Sequence, residues 1–100
     1  MSKLRDDFLK EISNYYGEDA KAALLEAPDA LNDLLKDIKK IDLTNPAKQV
    51  EDCETKLNQM LLGVVNPRQT GGYETSPILR VAALLQGNPN AINEQNPLPN

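Results

Sequence analysis

Histidine and tryptophan are absent from this 100-residue chain, and cysteine and phenylalanine occur once each. Without histidine, the commonest general acid–base group at neutral pH is missing. With Cys53 as the sole thiol, neither an intrachain disulfide nor a Cys/His zinc site can be assembled. No cofactor or metal is expected on these grounds. Apolar runs such as Val81 to Leu85 fall far short of the roughly 20 residues that span a bilayer. The opening stretch, MSKLRDDFLKEI, places charges where a secretory signal needs its apolar segment. A cytoplasmic protein with no membrane partner is therefore expected.

What the chain does have is charge and periodic apolar spacing. Residues 1–62 hold nine basic and thirteen acidic groups, the whole of the net charge of −4. Residues 63–100 hold two of each sign, Arg68, Arg80, Glu74 and Glu94, among many Pro, Gly and Asn. One small domain is the natural size for such a length. An acidic balance also disfavours nucleic acid as a partner, since phosphates are bound mainly by Lys and Arg.

Leu4, Phe8, Ile12 and Tyr15 recur at helical spacing, with Leu9 and Tyr16 widening the face. Ser2 can cap this first helix, and Gly17 should stop it in a left-handed conformation. Ala20, Leu24, Ala27, Leu31, Leu34, Ile38 and Ile41 then step by alternating fours and threes, an unbroken seam with Pro28 inside it. Proline removes an amide donor and pushes the preceding residue from helical angles. Two readings remain open: one kinked helix, or one helix over 18–27 and another over 28–41. An unbroken helix of that span would be roughly 33 Å long, large for this domain, which favours the break.

Asn45 and Pro46 should open the next helix as cap and first-turn proline. Val50, Cys53, Leu57, Met60 and Val64 repeat the seam beside Leu61, and Gly63 should end it. NPRQTGGYET (66–75) reads as a loop. Ser76-Pro77 starts a last helix, Ile78 to Gln86, that is apolar around most of its circumference and so belongs in an interior. The final stretch, with three Pro and five Asn in fourteen residues, has too little to bury to offset its ordering entropy.

The chemically suggestive residues read better as scaffolding. Asp6, Asp7 and Glu11 on one helix, and Glu51, Asp52 and Glu54 on another, fall on polar sides and lack the calcium-loop spacing. Cys53 lies on an apolar seam between Asp52 and Glu54, whose charges oppose thiolate formation. Arg68 to Gly72 lacks the lysine and the strand of a phosphate loop. A helix-turn-helix over 9–28 would present Glu18, Asp19 and Glu26 to phosphates that repel them.

The expected fold is all-α: a compact bundle of four or five short helices over 1–87, with a disordered Pro/Asn-rich tail over 88–100. The expected function is a non-enzymatic protein–protein interaction module (an adaptor, chaperone or assembly subunit). It would act by self-association or by binding a helical partner. Leu57, Met60, Leu61 and Val64, with Ile78, Val81 and Leu85, are the expected contacts. The alternatives are a small ligand-binding protein or enzyme using carboxylates with Arg68 or Arg80, and a nucleic-acid-associated helical protein.

Overall fold

The computed structural model describes residues 3–65 and 72–86, and within them the chain is all-helical. Five α-helices follow in order: α1 (Lys3–Tyr16), α2 (Glu18–Leu25), α3 (Pro28–Lys39), α4 (Ala47–Met60) and α5 (Pro77–Leu85). A short 3₁₀ turn, Tyr73–Thr75, precedes α5. The boundary expected at 87/88 and the tail beyond it lie outside the described residues.

Local chemistry accounts for each break. The amide of Gly17 closes α1 on the Ser13 carbonyl at 2.9 Å, and its own carbonyl accepts from Lys21 to open α2. Its φ is +101° with ψ 172°, an extended glycine-only conformation rather than the left-handed helical one expected. The extended ψ lets the next helix begin at once, without a connecting turn.

At Pro28 the seam divides. Ala27 takes φ −126° and ψ 67°, away from helical values, and Pro28 sits in the first turn of α3. The amide of Leu31 reaches the Ala27 carbonyl at 2.9 Å, so α3 is hydrogen-bonded from its start. An unbroken helix through this region would exceed the 31 Å longest dimension of the molecule. Ala20, Leu24, Leu31, Leu34, Ile38 and Ile41 of the seam are all buried, while Ala27 at the break is half-buried.

α3 and α4 are joined by a side-chain-braced turn. Asp42 Oδ1 accepts from the Thr44 amide at 3.0 Å and from its hydroxyl at 2.6 Å. Those two donors hold the Asp42 carboxyl below its ordinary pKa of 3.8. Gln49 spans the junction: its Oε1 accepts from the Asp42 amide at 2.7 Å, and its Nε2 donates to the Lys40 carbonyl at 3.1 Å. Asn45 does not cap α4. The first helical bond runs from the Val50 amide to the Pro46 carbonyl at 2.8 Å, with no side-chain cap.

α5 lies against α1, α3, α4 and the 3₁₀ turn. Ser76 caps it, accepting from the Ile78 amide at 3.1 Å, and Pro77 fills the first helical position. Pro77, Ile78, Leu79, Val81, Ala82 and Ala83 are buried. At the other end, Gln86 Nε2 donates to the Ile41 carbonyl at 2.7 Å, tying the end of α5 to the end of α3. Phe8, Ile12, Leu24, Leu34, Ile38, Leu57 and Val81 complete the same core with no solvent exposure.

Candidate interaction surface

The apolar seam of α4 supplies both core and surface, because the helix stops before the seam does. Val50, Cys53 and Leu57 are buried. α4 ends at Met60, and the chain turns tightly: the Leu61 amide still bonds the Leu57 carbonyl, while Val64 and Val65 both donate to the Leu61 carbonyl. Gly63 makes this turn at φ +82°, a helix-terminating conformation in which a Cβ is disfavoured. Leu61 folds back into the core at 2% exposure, whereas Leu62 points outward at 80% and Val64 at 41%.

Of the seven residues expected to meet a partner, Leu57, Leu61, Ile78 and Val81 are buried in the chain's own core. They are unavailable to a second chain in this state, because α4 and α5 pack on one another, α4 on α3, and α5 on α1 and α3. Met60 and Leu85 are half-buried against that core, and Val64 is exposed. Leu62, the most exposed large apolar residue described, lay off the periodic seam and was missed. Its signal was the glycine beside it, which ends the helix and frees Leu62 from the seam's geometry. Leu84 and Leu25 are also partly exposed, at 42% and 41%.

Two grooves run along α4. One of about 490 Å³ between α3 and α4 is lined by Asp37, Gln49, Asp52, Cys53 and Lys56 among others. Lys56 bonds Asp37 across it, and that pairing raises the Lys56 pKa above its ordinary value. The Cys53 thiol is pushed up to about 11, first by burial and then by the charge of Asp37. At neutral pH it is a protonated thiol, without the nucleophilic thiolate form. A second groove of about 290 Å³ runs past Ala30, Asp33, Lys56, Gln59 and Met60. It leads from the charged face toward the α4 C-terminus.

The carboxylate clusters divide into exposed and half-buried members, with Asp7 among the half-buried. Asp6, Glu51 and Asp52 are exposed, as the polar-face reading expects. Glu11 and Glu54 are not: both are half-buried, and burial raises both above the ordinary glutamate value of 4.5. The charge of Arg80 on α5 works against that rise at Glu11, and the Ser76 hydroxyl works against it at Glu54. Adjacency to a seam residue does not mark them out in the sequence, because Glu51 and Asp52 stand beside Val50 and Cys53 and are exposed. Arg80 therefore faces an acid from its own chain, and Arg68 lies outside the described residues.

Among the described residues, no group of three or more His, Cys, Asp or Glu is placed to hold a metal ion. None of the described helices is long and apolar enough to cross a membrane. Comparison with protein-family models, curated proteins and solved structures finds no match.

Proposed function

We propose that this protein is a non-enzymatic protein–protein interaction module of the cytoplasm, and that the turn after α4 is what it presents to another chain. The carrying observation is Leu62, held outward at 80% exposure beside Val64. Isolated exposed leucines are ordinary on protein surfaces. Here two large apolar side chains sit within three residues, on a turn already fixed by backbone bonds to Leu61. A preformed turn loses little conformational entropy when it is covered. Fully covering one leucine is worth roughly 1.5–3 kcal/mol. Residues 60–65 themselves carry no charge, so covering them desolvates no ion of the turn. A second copy of the chain is the simplest partner, and a helical surface of another protein is the next.

Sedimentation over a range of concentrations, run on the native protein and on Leu62→Lys, tests this. The expected result is a native assembly, with itself or with a co-purifying protein, that cross-links through position 62. The lysine variant should release that assembly while keeping its helical circular dichroism. A native protein that stays monomeric and partnerless, or an assembly indifferent to the lysine, would sink the proposal.

A further inference from the structure

The outermost stripe of α3 is charged in an ordered way. Leu31, Leu34, Leu35 and Ile38 bury the inner face of the helix. On the opposite side, Asp29, Asp33, Lys36 and Lys40 are all exposed. They follow at steps of four, three and four, so they share one line along the helix. The line reads acid, acid, base, base, and its midpoint falls between Leu34 and Leu35. Among the described residues, none of these four side chains makes an ion pair or a hydrogen bond within the chain. Lys56, which shares a groove with Asp33, bonds Asp37 instead. The helix dipole favours an acid in the first turn and bases in the last, which accounts for Asp29, Lys36 and Lys39. Asp33 lies beyond the first turn and stands one turn from Asp29, as Lys36 does from Lys40. Like charges at that spacing weaken an isolated helix, and a partner of opposite order would relieve both repulsions.

We propose that this stripe pairs with the same stripe of a second copy of the chain, antiparallel, across a two-fold axis at its midpoint. Reversing the line turns it into its own complement: Asp29 meets Lys40 of the second copy, and Asp33 meets Lys36. The axis repeats each pair, so the contact is closed and stops at a dimer. Exposed ion pairs alone are worth little, and complementary charge sets register and orientation more than affinity. The pairing therefore rests on the reading of the turn after α4 as a contact surface, which supplies the apolar part. Gln59 and Met60 share a groove with Ala30 and Asp33, so that turn stands beside the start of α3. Antiparallel pairing carries it to the last turn of the second copy's α3. There the hydrocarbon stems of Lys39 and Lys40, both exposed, can cover Leu62.

Charge exchange between copies tests the register without touching the core. Sedimentation equilibrium of the full chain compares the native protein, Asp33→Lys, Lys36→Glu and the double variant carrying both. Each single variant sets like charges against one another twice, and should associate at least about tenfold more weakly than the native chain. An equimolar mixture of the two single variants should recover native association as a heterodimer, and the double variant should recover it alone. Circular dichroism checks that the helices persist. The native chain gives a reading that needs no substitution: its association should weaken severalfold from about 0.1 M to about 1 M salt, as the Debye length falls from about 10 Å to about 3 Å. A monomeric native chain, an association indifferent to salt, or a mixture no stronger than its parts would overturn the pairing. An assembly that Leu62→Lys releases but the charge reversals leave intact would overturn the α3 register and keep the turn as a contact. One that the reversals break and restore, but Leu62→Lys ignores, would keep the register and remove the turn from it.

Discussion

α4 and α5 use apolar residues in opposite ways. α4 is a one-sided helix, with Val50, Cys53 and Leu57 inward and Lys48, Asp52 and Lys56 outward. α5 has six of its nine residues buried, because helices α1, α3 and α4 surround it. Similar spacing of apolar residues therefore means burial in one place and exposure in another. Val64 continues the α4 seam by count, but the helix has ended four residues earlier and the face no longer exists. Periodicity predicts burial only while the backbone keeps the period.

The sharpest way to break this comparison is to shorten one side chain on each side of it. Ile78→Ala removes packing from a fully buried site in α5 and should cost about 2–5 kcal/mol, a large part of the stability of so small a domain. Val64→Ala, at 41% exposure, should change stability by less than about 0.5 kcal/mol. Urea unfolding of both variants measures the gap. Similar costs for the two would mean that the turn after α4 is as buried as α5.

The two helix starts give a second, smaller contrast. Ser76 caps α5 with its side chain, whereas α4 begins with no side-chain cap. Ser76→Ala should cost about 0.5–2 kcal/mol through loss of the cap. Ser76 is buried at 3% exposure, so the Ile78 amide would be left without a partner away from water, and the loss should sit at the upper end of that range. Asn45→Ala should leave thermal stability nearly unchanged, because Asn45 enters the turn through its backbone amide to Asp42. A loss at Asn45 equal to that at Ser76 would show that α4 is capped after all.

Much of this fold was legible in the residues. Gly17, Pro28 and Ser76-Pro77 each mark a helix boundary by a mechanism local to the chain, and each boundary falls within a residue or two of where that mechanism places it. The burial of Cys53 followed from its seat on the α4 seam. Less legible were features that depend on where a helix stops. Leu62 and Val64 became surface because Gly63 turns the chain, and Leu57, Leu61, Ile78 and Val81 became core because α5 finds three helices around it. The half-burial of Glu11 and Glu54 was hidden for a related reason. A polar residue at the margin of a seam looks solvated until the neighbouring helix is placed beside it, and that placement is a tertiary fact.

The polar face of α4 supplies the smallest test. Lys48 Nζ lies 3.0 Å from Asp52 Oδ1, with the two side chains 82% and 60% exposed. Water and salt screen such a pair, so one turn of helix spacing gives it only about 0.3–0.5 kcal/mol. Asp52→Asn should lower stability by no more than that in dilute buffer and by nothing measurable at about 1 M salt, where the Debye length is about 3 Å. Paired thermal melts at low and high salt would read it. A loss that persisted in high salt would place Asp52 in a protected site facing the α3–α4 groove, and α4 would then resemble α5 in being enclosed on more than one side.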